Sequence, residues 1–186
     1  PSAEDEKQNT PVQKNRATEN EDQAMSKRLL RPFENRDTDA VVEIANLAWQ
    51  RIYASHRDIF GEKLYAALFP EDRERKGNEM RRHCEHSPDH IWICELDGRV
   101  VGFIMWSMDT TRNIGTVGNN GLHPDAAGQG LGTFMYRALL DHFRTNGMQY
   151  AKVHTGLDEG HAPARRAYER VGFNIRHETV DYYMEL

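Results

Sequence analysis

The chain has 186 residues, with 24 basic and 29 acidic side chains and a net charge of −5. That length allows one domain with a real core and some surplus, and the charge balance offers no clustered basic face of the kind nucleic acid requires. The two cysteines, Cys84 and Cys94, form no CxxC pair and no disulfide framework, which points to a reducing compartment. The longest apolar run, residues 100–106, is interrupted by Gly102 and is too short to span a bilayer. No charged-then-apolar leader opens the chain. The expectation is a soluble cytoplasmic protein with neither a nucleic-acid nor a membrane partner.

Residues 1–27 hold almost no large apolar side chains and read as a disordered tail. Residues 28–186 read as one domain. Leu29, Leu30 and Phe33 suggest a first strand. Ala40, Val41, Ile44, Leu47, Ala48 and Ile52 then recur at helical spacing. A second helical piece covers residues 62–68 before Pro70, and a charged helix covers 71–86. Residues 90–95 and 99–107 are rich in β-branched and aromatic side chains and flank Asp97-Gly98, a hairpin turn signal. A third strand is expected at 113–122. Leu131, Phe134, Met135, Ala138, Leu139 and Phe143 form a helical stripe that Gly147 ends. Strands at 150–155, 173–176 and 179–186, with a short helix from Pro163 to Arg170, complete the pattern. The order predicts an α/β (α+β) fold: a mixed, mostly antiparallel sheet of about six to seven strands flanked by helices.

The segment most informative about chemistry is Leu122-His123-Pro124-Asp125-Ala126-Ala127-Gly128-Gln129-Gly130-Leu131-Gly132. It links a predicted strand to a predicted helix. Its glycines admit close approach of a ligand to the backbone, and the free N–H groups of a first helical turn favour phosphate. A dinucleotide fingerprint needs its third glycine three residues after the second, and a Walker loop needs Gly-Lys-Ser/Thr; neither is present.

The segment resembles the cofactor-binding motif of the GNAT superfamily, hydrophobic-x-Pro-x-x-Arg/Gln-x-x-Gly-x-Gly/Ala, at Leu122, Pro124, Gly130 and Gly132. A second stretch, from His161 through Ala164 and Tyr168 to Gly172-Phe173, resembles that family's Asn-x-x-Ala-x-x-x-Tyr-x-x-x-Gly-Phe. Ala127 stands where Arg or Gln is usual, and His161 where Asn is usual. The resemblance implies an acetyl-CoA-dependent N-acetyltransferase acting by direct transfer, with no metal. It implies that Leu122, His123, Pro124, Gly128, Gln129, Gly130, Leu131, Gly132, Thr133, His161, Ala164 and Tyr168 hold the cofactor. In that reading a backbone N–H at Leu122 polarises the thioester carbonyl, and Tyr168 protonates the leaving thiolate.

A lysine-like amine has a pKa near ~10.4, so the reaction also needs a proton acceptor. Asn120 through a water, His123, His56, Tyr53 and Glu43 are all candidates, and the residues do not choose among them. Arg165 and Arg166 either reach a coenzyme phosphate or lie on a solvated face. His83, His86 and His90 lack a recognisable second ligand pair for zinc. The acceptor is expected to be a small-molecule or peptide amine. A non-catalytic acyl-CoA-binding module is the alternative. Tyr182, Tyr183 and Met184 either offer a homodimer surface or belong to the core.

Overall fold

The computed structural model describes residues 26–70 and 72–186. The expected tail, residues 1–27, falls outside these except for Ser26 and Lys27. Lys27 is already tied to the domain: its N–H donates to Asp97 Oδ1 at 2.7 Å, and Asp97 N–H donates to its carbonyl at 2.9 Å.

Five strands form one sheet in chain order: β1 (Arg28–Pro32), β2 (Ile91–Leu96), β3 (Arg99–Asp109), β4 (Ile114–Leu122) and β5 (Tyr150–Val153). The first four pair antiparallel, while β5 lies parallel to β4. The β2–β3 turn places Asp97 and Gly98 at φ 53° and 80°. Two positive φ values define the type I′ turn that this dipeptide favours.

Helices cover both faces. α1 (Thr38–Leu68) and α2 (Asp72–His86) take one, and α3 (Leu131–Thr145) with α4 (Ala162–Arg170) take the other. The strands alternate accordingly. Ile91, Ile93, Phe103 and Met105 meet Val41, Ile44, Ala45, Met80 and Cys84 of α1 and α2. Cys94 and Ile104 meet Leu131, Met135, Leu139 and Phe143 of α3 on the opposite side. α1 is broken at Gly61 (φ 69°, ψ 161°), which accounts for the two helical pieces visible in the sequence. Arg31 bridges Asp37 and Glu95, each at 2.7 Å, and so locks β1 and β2 to the start of α1.

The sheet is smaller than the six to seven strands expected. Residues 173–176 and 179–186 form no strand. Between them stands His177-Glu178, which has no glycine, asparagine or aspartate to supply the positive φ of a tight hairpin turn. Ile175, Tyr182 and Met184 are exposed, so these residues are not core. The terminal stretch instead touches α1, through Tyr183 on Phe60 (ring centroids 5.4 Å apart) and a Glu185–Lys63 ion pair.

One irregularity in β4 positions everything that follows. Asn120 pairs with Ile104 and Val117 with Trp106, so Gly118 and Asn119 together oppose Met105 as a bulge. Before the bulge, residues 114–117 pair with β5. Beyond it β4 keeps its β3 partner, but the β5 side is open.

Candidate active site

The open edge of β4 presents backbone donors. His123 N–H donates to Val101 O at 2.8 Å, and Gly121 pairs with Phe103. Leu122 and Asn120 therefore occupy the intervening positions, whose N–H groups point away from β3 toward the gap left by β5. The Leu122 side chain lies over Gly102, where a Cβ would come within 2.6 Å of it. That close seat fixes the strand end.

The chain then turns through Pro124 and Gly128 (φ 78°) to Gly130 (φ 74°), which caps α3 in the left-handed region. The first intrahelical bond is Phe134 N–H to Gly130 O at 3.0 Å. The amides of Leu131, Gly132 and Thr133 thus have no intrahelical acceptor, and no acidic residue occupies that turn. The Arg28 guanidinium stands 3.9 Å from where a Cβ on Gly130 would be. Open amides, a helix N-terminus and a nearby cation make a seat for a pyrophosphate.

Both features open on a single cleft of about 1470 Å³. That is larger than most drug-sized pockets of ~300–1,000 Å³, which leaves room for a long coenzyme and an acceptor together. Leu122, Pro124, Gly128, Gly130, Leu131, Gly132, Thr133, His161, Ala164 and Tyr168 all line it. His123 and Gln129 do not. Their side chains border a small separate pocket beside Leu96 and Asp97. His123 faces Asp125, with Nδ1 accepting from the Asp125 N–H at 3.3 Å, because strand alternation turns it away from the face that Leu122 presents.

Tyr168 is 6% exposed. Its hydroxyl accepts from Asn120 Nδ2 at 3.2 Å, and Asn120 Oδ1 in turn accepts from Tyr136 O–H at 2.7 Å. Burial raises the Tyr168 pKa, against the opposing effect of its hydrogen bonds. The phenol therefore keeps its proton at neutral pH, as a proton donor must. Asn120, named in the sequence as a water-holding candidate base, is the residue that orients this tyrosine.

The other candidate bases scatter. Glu43 is exposed on α1, and Tyr53 is buried against Phe69. Arg165 braces a loop, with Nη1 donating to Gly156 O and Asp158 O at 2.7 Å each, whereas Arg166 lines the cleft. Among the described residues, His83, His86 and His90 join no group of three metal-ligating side chains. Ala127 lines the cleft without a polar side chain.

Two clusters bring together side chains from distant segments. Lys76 Nζ donates to Glu79 Oε1 and Asn119 Oδ1, each at 2.8 Å, and lies 4.6 Å from the centre of the Trp49 ring. Burial lowers the Lys76 pKa, against the raising effect of Glu79. The second cluster joins His56, Asp158 and His161 where α1 meets the turn before α4. Neither could be foreseen from spacing, since each joins segments distant in the chain. Only the Asp158-x-x-His161 cap, in which Asp158 Oδ1 accepts from the His161 N–H at 3.2 Å, carries a local signal.

A parallel strand pair that splays at a bulge, followed by a glycine-rich helix start, defines an α/β domain with an open strand edge beside a helix N-terminus. The chain belongs to the Acetyltransferase (GNAT) family, whose pattern it matches over residues 49–173. It is 36% identical to a mycothiol acetyltransferase of Thermomonospora curvata over 86 residues, which is 46% of this chain and 28% of that protein. It is 26% identical to an uncharacterized N-acetyltransferase of Methanocaldococcus jannaschii over 156 residues, 83% of each chain. The chain thus spans under a third of the length of the mycothiol acetyltransferase. Among solved structures, its fold is similar to a PaiA N-acetyltransferase from Thermoplasma acidophilum in complex with coenzyme A (TM-score 0.61, 16% identity, 82% of this chain and 93% of that one). It is also similar to the ribosomal-protein-S18-alanine N-acetyltransferase of Escherichia coli (TM-score 0.57, 17% identity, 81% and 80%).

Proposed function

We propose that the protein transfers the acetyl group of acetyl-CoA to a primary amine, directly within a ternary complex. The observation that carries this reading is the open half of β4. Leu122 directs an unshared N–H into the cleft, Gly130 and the α3 start offer amides for a pyrophosphate, and Tyr168 holds a proton across from them. The donor supplies an activated acyl group. The chain's own residues would pair with its amide-bearing arm along β4, polarise its carbonyl through the Leu122 N–H and deliver a proton to its sulfur from Tyr168. Cys84 and Cys94 are both buried, and burial pushes both thiols up to about 11, which argues against an acyl-cysteine route. The acceptor class is a small-molecule or peptide amine. The relatives named mycothiol acetyltransferase favour a small molecule, although the match to the one from Thermomonospora curvata covers only part of each chain.

Isothermal titration with acetyl-CoA and with NAD in parallel tests the assignment. Micromolar binding of acetyl-CoA with NAD silent is expected; absence of acetyl-CoA binding would overturn it. The non-catalytic alternative predicts binding without thiol release across an amine panel.

A further inference from the structure

Direct transfer from a thioester to an ammonium requires a proton acceptor in the cleft. Resting on the transfer reading, we propose that His161, held by Asp158, is the base that deprotonates the incoming amine. His161 Nδ1 lies 2.6 Å from Asp158 Oδ2. Asp158 is itself nearly buried, its side chain 6% exposed. Burial works to raise its pKa, but the hydrogen bonds from the ring and the backbone N–H of His161 hold it below the usual carboxylate range. An ionised Asp158 fixes the proton on Nδ1 and leaves the lone pair on Nε2, and His161 lines the cleft.

The arrangement is built into the backbone. A Cβ on Gly156 would come within 2.3 Å of Asp158 Oδ2 and 2.6 Å of His161 Nδ1. A Cβ on Gly160 would meet Ile52 Cα at 2.7 Å, so only glycine lets this turn close on α1. Arg165 clamps the loop through the Gly156 and Asp158 carbonyls. From α1, His56 Nε2 stands 3.7 Å from Asp158 Oδ2, and burial lowers its pKa, so it stays neutral beside the pair. Asp158 and His56 are the titratable side chains that face the ring, the His56 ring centroid lying 6.2 Å away.

An ion shared by these three side chains is the competing reading. Tetrahedral bonds of ~2.0–2.1 Å keep ligand atoms about 3.3 Å apart. The 2.6 Å separation of Nδ1 and Oδ2 is that of a hydrogen bond.

The substrate ammonium gives one proton to His161 Nε2. The freed lone pair forms the C–N bond as the C–S bond breaks. The sulfur leaves with the C–S electron pair and takes the Tyr168 proton. Tyr168 recovers a proton from the acetylated nitrogen through solvent, and the imidazolium releases its own to bulk water.

Nitrogen NMR of histidine-labelled protein, with His161 assigned by its loss in His161→Asn, tests the dyad without any acceptor. Expected are, in the neutral ring, a proton on Nδ1 and a bare Nε2, and a shift of the Nε2 signal on adding coenzyme A. A proton on Nε2 overturns the proposal. Thiol release is then measured with n-butylamine, a basic amine, and with hydroxylamine, which is already neutral at pH 7. His161→Asn and Asp158→Asn should lower kcat/KM for n-butylamine by ~10² or more. The loss with hydroxylamine should be at least about tenfold smaller, because that amine needs no base before attack. Equal losses on both amines would reduce the pair to a structural role and overturn it. Wild-type silence with both amines, with the NMR result as expected, would count against the transfer reading instead. Uptake of one Zn²⁺ that is abolished in His56→Ala would reassign the trio to a metal and overturn the proposal.

Discussion

The two halves of β4 share β3 as a neighbour and have opposite duties. Residues 114–117 are paired on both edges, to β3 and to β5, and carry the sheet. After the Gly118-Asn119 bulge the strand keeps only β3, and its second row of donors faces a cleft. The first half is paired on both edges, so a change there is felt as stability. In the second, an N–H is left over for a ligand, so a change is felt as activity. One bulge makes the difference between scaffold and site.

Breaking the site half gives the largest expected effect. Tyr168→Phe removes the proton donor and should lower kcat by ~10²–10⁴ while leaving acetyl-CoA affinity nearly unchanged, read by steady-state thiol release and titration. Leu122→Pro deletes the N–H that points into the cleft and spares the β3 ladder. It should cost ~10²–10³ in kcat with the far-ultraviolet dichroism of the wild type retained.

The scaffold half should answer differently. A Cβ on Gly115 would lie 2.4 Å from the Phe143 ring. Gly115→Ala should therefore destabilise the fold by ~1–3 kcal/mol in urea unfolding, with kcat per folded molecule unchanged. Gly130 stands between the two regimes. Its φ of 74° makes Gly130→Ala cost ~1–2 kcal/mol of backbone strain, and acetyl-CoA should bind more weakly as the amides of the α3 start are displaced.

The smallest effect near neutral pH concerns the Arg31–Asp37 lock. Burial works to raise the Asp37 pKa, but the Arg31 guanidinium and the Glu34 backbone N–H outweigh it and hold it below the usual value. A depressed carboxylate stabilises the fold above its unfolded pKa of ~3.9 and loses that contribution as pH falls through its lower folded value. Thermal melts should thus be insensitive to Asp37 titration from pH 7 to 5. Below pH 4 the wild type should lose stability faster than Asp37→Asn.

What could be read from the sequence was local. Helical stripes, the Asp97-Gly98 turn, the glycine loop and Tyr168 each declare themselves within a few residues, and the motif spacing placed Leu122 at the strand end. What could not be read depends on segments meeting in space. His123 and Gln129 lie inside the motif, yet their side chains turn to the other face. Asp158 and His56 are about a hundred residues apart in the chain and meet only because Gly160 lets the turn before α4 touch α1. The C-terminal residues 173–186 have the alternation of strands, but alternation states a preference for pairing and does not supply a partner.

Amide hydrogen exchange along β4, with and without acetyl-CoA, tests the division of this strand most directly. The account predicts that the Leu122 amide exchanges rapidly in the free protein and is protected when acetyl-CoA is added, while the amides of Gly115, Thr116 and Val117 are protected in both states. A Leu122 amide that is already protected in the free protein, or one that acetyl-CoA leaves unchanged, would contradict it.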